Sequence, residues 1–307
     1  MRLALKFVII FAGLALIASQ ARAQIPTATG RSFTLTDSAW KLFIPDGYIP
    51  RASPVADVMV HIHGDPQTVW NNAKYAQLNA IVLTANYGAL SSAYQTPFTN
   101  TPTLLGNVLS EALTKVRQQS DFADNLQWDK LGVSSFSAGY AGLREILKNA
   151  TYYSEIDGIV MEDSLYASYT SATDHTPLDS QMANFRSFAL AAKNGTKKFT
   201  MTHSQVATSG YCDTIQTADD ILAYLGISAT AISSTGVGGI NFYRTASSGN
   251  FKMYGATGSG ATDHSKHLQY SGQWLSAMPL AHVPEPAVMG PLLVSLAALG
   301  RARRRKR

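Results

Sequence analysis

The residues best placed to do chemistry lie at 131–147, LGVSSFSAGYAGLREIL. An apolar, β-leaning run ends in Ser135-Phe136-Ser137-Ala138-Gly139, and a helix-like run follows at once. This predicts a strand, a tight turn of small residues and a helix, with Ser137 at the apex. Such a turn pushes a hydroxyl out of the sheet, and small neighbours let strand and helix approach closely. The amide of Ala138 would then sit at a helix N-terminus, where it can stabilise an oxyanion. The usual pattern of such an elbow is G-x-S-x-G, and Ser135 stands in place of its first glycine. An ordinary βα turn uses the same residue types, so the serine's partners decide between the two readings.

A serine hydroxyl is a poor nucleophile until a base takes its proton. His264, at the end of a Gly-rich stretch before the last helical run, is the candidate base. His267, one turn further on, is the runner-up. The imidazole needs a carboxylate to fix its tautomer and stabilise the imidazolium. Asp163, just past the apolar run 156–161, is the candidate acid, and Glu162 beside it would point to the opposite face. The next strand-like run, 197–202, leads into His203-Ser204-Gln205, which carries no carboxylate, and Asp213 comes late. The run 58–62 leads into His63-Gly64-Asp65. The oxyanion donors would be the backbone amides of Ala138 and of Gly64 or Asp65.

A second chemistry competes for the same residues. His61-x-His63-x-Asp65 has metal-ligand spacing, and His264-x-x-His267 could add imidazoles. Pro66 occupies the position where a full H-x-H-x-D-H motif would carry its last histidine. Residues two apart on a strand share a face, so the pairing alone does not make a metal site.

The elements that must position these residues alternate along the chain. Runs 40–44, 58–62, 80–84, 130–134, 156–161, 197–202 and 251–254 read as strands. Runs 70–78, 104–118, 139–148, 179–193, 218–225 and 264–275 read as helices. Short β runs alternating with helices predict an α/β fold with a mostly parallel central sheet flanked by helices. In such sheets ligands bind at the carboxyl ends of the strands, where His63, Ser137, Asp163 and His264 all fall. The stretch 87–98, YGALSSAYQTPF, reads as a loop after run 80–84 that would line the pocket.

The order of these parts, an oxyanion loop, then serine, then acid, then histidine, resembles that of the α/β-hydrolase superfamily, in particular its secreted esterases. Leu42-Phe43-Ile44-Pro45-Asp46-Gly47-Tyr48 is similar to their early strand and turn, and His61-Ile62-His63-Gly64 to their His-Gly loop. The resemblance spans about residues 40–276. It implies a serine hydrolase acting on carboxylic esters through Ser137, His264 and Asp163, with an acyl-enzyme intermediate and no cofactor. A metal-dependent hydrolase built on His61, His63 and Asp65 is one alternative. A non-catalytic surface or matrix protein on a hydrolase scaffold is the other.

Both ends of the chain read as addresses. Arg2 and Lys6, an apolar run over 7–18, and Ala21-Arg22-Ala23 predict a secretory signal peptide over residues 1–23. That leaves residues 24–283 as one domain. Residues 284–307 carry Pro284-Glu285-Pro286, an apolar stretch over 287–300 and an Arg-rich end, and resemble a PEP-CTERM sorting signal. The apolar stretch would reach roughly 21 Å as a helix, short of a hydrocarbon core of about 30 Å, so membrane contact through it would be transient. The resemblance implies an exosortase-type enzyme as partner and delivery to the cell envelope, surface or extracellular matrix. Such an address favours polysaccharide-linked or other extracellular esters as substrates.

The formal charge of +5 belongs to these ends. Residues 1–23 and 284–307 hold nine of the 25 basic residues and one of the 20 acidic ones, which leaves the domain near −3. No basic patch interleaved with aromatics remains, so nucleic acid is not an expected partner. Cys212 is the only cysteine, so no intrachain disulfide can form.

Overall fold

The computed structural model describes residues 24–88 and 90–284. The predicted signal peptide and, apart from Pro284, the predicted sorting segment lie outside the described residues. The strands are β1 (Gly30–Thr34), β2 (Trp40–Pro45), β3 (Val55–Ile62), β4 (Ala80–Ala85), β5 (Gln127–Phe136), β6 (Ile156–Glu162), β7 (Ala167–Ser168), β8 (Lys198–His203), β9 (Tyr211–Cys212), β10 (Thr230–Thr235), β11 (Asn241–Ser248) and β12 (Phe251–Ala256). Ten of them form one sheet in the order β1-β2-β4-β3-β5-β6-β8-β12-β11-β10, and β7 pairs with β9 apart from it. The six central strands, β4 to β12, run parallel. The two outer pairs at each edge are antiparallel. This is the mostly parallel central sheet flanked by helices that the sequence predicts.

The sheet is covered on both faces, which explains why β3 and β4 read as unbroken apolar runs rather than alternating ones. The larger core packs Val58, Val60, Leu83, Val133 and Met161 against helices Ser91–Asn100, Leu104–Arg117, Tyr140–Lys148, Asp179–Lys193 and Thr214–Leu225. The smaller core packs Met59, Val82 and Val160 against helices Pro66–Tyr75, Ala261–Gln269 and Gly272–Leu275. Each Leu, Ile or Phe side chain fully removed from water here contributes about 1.5–3 kcal/mol relative to exposure. At the amino ends of the central strands the buried Asp57 accepts from the amide of Ala281 at 2.6 Å and pairs with Arg51 at 2.5 Å. That pairing fastens the end of the domain beneath β3.

Several elements differ from the sequence-based expectation. The stretch 87–98 is not one loop: helix Ser91–Asn100 occupies most of it, with Pro97 inside. The last helical run is broken at Tyr270 into two helices. Strands β1 and β10 are edge strands with mostly polar, exposed residues, and β11 beside β10 is also largely polar, so none of the three gave an apolar run.

One close approach of the fold lies under the elbow. A Cβ built on Gly139 would collide with the carbonyl oxygen of Ile62 and come within 3.1 Å of His63 Cβ. Helix and strand can therefore meet there only at glycine. Gly139→Ala is expected to lower the unfolding free energy by about 1–3 kcal/mol in urea titrations, the range of overpacked cores. Gly47→Ala, where a Cβ meets nothing within 4 Å, serves as the neutral comparison.

Candidate active site

Ser137 follows β5 directly and opens a short 3-10 turn, Ser137–Gly139, that runs into helix Tyr140–Lys148. Its φ is 45°, in the left-handed region that non-glycine residues seldom adopt. Strain of this kind lifts a side chain off the strand end. Ser135 is accommodated by a hydrogen bond rather than by small size. Its hydroxyl lies 2.9 Å from that of Ser164, and Ser164 in turn donates to the Ser137 carbonyl at 2.9 Å. A chain of two hydroxyls thus ties the elbow to the loop after β6.

That loop carries Asp163, fully buried and also left-handed, with φ 46°. Its Oδ2 accepts from His264 Nδ1 at 2.6 Å. Its Oδ1 accepts from the Ser204 amide at 2.8 Å and from Thr214 Oγ1 at 2.6 Å. Burial opposes its ionisation, but the His264 hydrogen bond, the nearby His267 ring and the Ser204 amide outweigh that and hold the carboxyl well below the usual carboxylate range. Glu162, one residue earlier, faces the smaller core. Neither of its oxygens has a hydrogen-bond partner among the described residues, and Ser271 approaches without bonding geometry. Burial pushes its carboxyl well above the usual range, which favours the protonated form.

His264 stands in the first turns of helix Ala261–Gln269. With Nδ1–H given to Asp163, a neutral ring carries its lone pair on Nε2, which has no hydrogen-bond partner among the described residues. Phe136 stacks between two imidazoles, with its centroid 4.7 Å from His264 and 5.6 Å from His63. The elbow strand therefore fixes the plane of the histidine. Phe136 occupies the variable position of the motif, so no sequence signal marked it. His267 is buried and removed from the cleft. Its Nδ1 is 2.7 Å from Thr202 Oγ1, which also accepts the Asp163 amide at 3.0 Å, and its ring stacks on Trp274.

The histidines at the end of β3 are structural neighbours of the elbow. His61 Nε2 donates to the His63 carbonyl at 2.7 Å, and its Nδ1 accepts from Ser134 Oγ at 2.7 Å. Both nitrogens are therefore occupied. His63, with φ 73°, swings away to meet the Tyr94 hydroxyl at 2.6 Å. Asp65 caps helix Pro66–Tyr75, accepting from the Thr68 amide at 2.8 Å. Among the described residues no group of three or more histidine, cysteine or carboxylate side chains could hold a metal ion. The spacing of His61, His63 and Asp65 thus reflects three separate duties.

Ser137, Ala138 and His264 line one cleft of about 960 Å³. Its walls include Tyr140, Tyr166 and Arg144, and Leu90, Ser91 and Gln95 enter from the segment that the sequence placed at the pocket. Gly64 and Asp65 are not among its lining residues, although the turn they belong to abuts the elbow at Gly139. The Ser137 hydroxyl has no hydrogen-bond partner among the described residues. Contacts of this kind are often loose in unliganded enzymes and tighten with substrate.

The buried histidines make stability depend on pH. Burial lowers His61 from 6.5 to about 3 and His203 from 6.5 to about 4. An unfolded chain takes up these protons first, so their contribution is complete above about pH 6.5 and falls as pH drops toward the folded values. Each is expected to remove about 1.4 kcal/mol of stability per pH unit between pH 6 and 4. Urea titrations across that window check this. His61→Gln should flatten the slope by one histidine's share, and an unchanged slope would contradict the assignment.

No family model matches this chain, and no curated protein matches it in sequence. Among solved structures it is similar to a glucuronoyl esterase from Solibacter usitatus, at 11% identity and TM-score 0.39, over 76% of this chain and 77% of that one. It is similar to a dienelactone hydrolase-like promiscuous phosphotriesterase from metagenomic libraries, at 11% identity and TM-score 0.41, over 82% and 99%. It is also similar to a truncated carbohydrate esterase from gut microbiota, at 11% identity and TM-score 0.42, over 81% and 96%.

Proposed function

We propose that this chain is a serine hydrolase that cleaves carboxylic esters by way of an acyl-enzyme. The observation that carries this reading is the 2.6 Å bond from His264 Nδ1 to the buried, ionised Asp163, beside a cleft that Ser137 lines from a left-handed elbow. His264 Nε2 takes the Ser137 proton as Oγ attacks the ester carbonyl. Asp163 holds the ring and offsets the imidazolium charge without itself taking the proton. The amide of Ala138 meets the developing oxyanion, and the backbone of Gly64 or Asp65 across the elbow supplies the second donor. The imidazolium then protonates the leaving alcohol. Water, deprotonated by His264, attacks the acyl carbon, and the carboxylic acid departs as Ser137 regains its proton. No cofactor enters this scheme. The address segments support work outside the cytoplasm, on extracellular or polysaccharide-linked esters.

The test is labelling by a fluorophosphonate, together with turnover of p-nitrophenyl esters. Ser137→Ala should abolish labelling, and EDTA should leave it intact. His264→Ala and Asp163→Asn should each lower kcat by about 10³–10⁴-fold. His267→Ala should act chiefly on stability, through the lost Thr202 bond and Trp274 stack. Turnover that survives Ser137→Ala and is lost with EDTA would overturn the serine mechanism. Absence of both labelling and turnover would favour a non-catalytic role.

A further inference from the structure

Arg144 is the one cationic side chain in the wall of the Ser137 cleft. Its side chain is only 9% exposed, yet it makes no hydrogen bond to any described residue. The ring of Tyr140 lies beneath the guanidinium, 5.3 Å from centroid to Cζ. The nearest carboxylate, Glu145, is 4.0 Å from Nε and already serves Lys148 at 2.7 Å and Gln95 at 3.2 Å. A guanidinium is a rigid fork of donors that matches a carboxylate through two parallel bonds. Among the described residues none of its nitrogens has such a partner, so the fork is open to one from a ligand in the cleft.

The placement suits a substrate group. Tyr140 and Arg144 are four apart on the helix that follows the elbow, so they share one face of it, and both line the cleft with Ser137. Arg144 is about 6 Å along the axis from Tyr140, where the helix begins, and its side chain leans back toward the helix N-terminus. The guanidinium therefore stands a few atoms away from a carbonyl held at Ser137. The remainder of the domain is net negative, so this cation also opposes the general repulsion of an anion.

We propose that Arg144 forms an anion subsite, and that the preferred substrates are esters bearing a free carboxylate a few atoms from the scissile bond. This rests on the ester-hydrolase reading above. The substrate carboxylate accepts two N–H bonds from the guanidinium and aligns the ester carbonyl with Ser137.

The test compares the p-nitrophenyl monoester of adipic acid with its neutral, amide-ended isostere. The intact chain should favour the carboxylate ester in kcat/KM by about tenfold or more, the range of charge-assisted hydrogen bonds. Arg144→Gln should bring the ratio close to one, and Arg144→Lys should restore part of it. Lys252→Gln, an exposed change on β12, should leave the ratio as it was. Equal rates for the two esters, or a preference that survives Arg144→Gln, would overturn the subsite. Calorimetry of free adipate binding separates the two proposals, because it needs no turnover. Binding that is lost in Arg144→Gln supports the subsite even if no ester is hydrolysed, and absence of binding to the unaltered chain counts against it.

Discussion

Asp163 holds a carboxylate at zero exposure, where desolvation alone would favour the protonated form. It stays ionised because three donors from three separate segments converge on it: the Ser204 amide, the Thr214 hydroxyl and His264 Nδ1. Those donors come from the end of β8, the start of helix Thr214–Leu225 and helix Ala261–Gln269. None of them can move far without leaving a charge buried and underpaired, which costs several kcal/mol. The carboxylate thus sets the relative position of the carboxyl-end loops and, through them, of the histidine ring at the cleft.

The elbow depends on the same region from the other side. The Ser135–Ser164 and Ser164–Ser137 bonds join the nucleophile's turn to the residue after Asp163. Gly139 lets that turn press against the end of β3. Phe136 then fills the space between His63 and His264. Two left-handed residues, Ser137 and Asp163, are therefore held by hydrogen bonds and packing that neither would have alone, which is how unfavourable backbone conformations persist.

The parallel centre of the sheet was legible because its strands are buried on both faces, and burial writes itself as unbroken apolar runs such as β3 and β4. The edges were not, because β1 and β10 are largely solvated and their composition matches that of loops. The helix Ser91–Asn100 escaped for a related reason: its weakly amphipathic sequence contains Pro97 and reads as a turn-rich stretch. At the site, residue order along the chain placed Ser137, Asp163 and His264 at strand ends, and the fold brings the last two into contact. The rule that residues two apart share a face misled for His61 and His63. It assumes that the strand continues, and the left-handed backbone at His63 ends it. The contributions of Thr214, Ser204 and Phe136 could not be read, because each depends on contacts between segments far apart in sequence.

Adjacent acids at the end of β6 show how side-chain direction sets the surroundings of a carboxyl there. Glu162 and Asp163 are neighbours in sequence, and like charges so close would each raise the other's pKa. The pleat separates them. Asp163 meets three donors, and Glu162 is buried with neither oxygen hydrogen-bonded among the described residues. Burial raises the Glu162 pKa and so disfavours a second negative charge beside Asp163. The imidazolium formed in an ester-cleaving cycle would meet a single counter-charge of fixed position. An ionised Glu162 would instead weaken the ionisation of Asp163 and blur the orientation of the ring, so the apolar packing on the far face of the sheet protects the electrostatics on the near one.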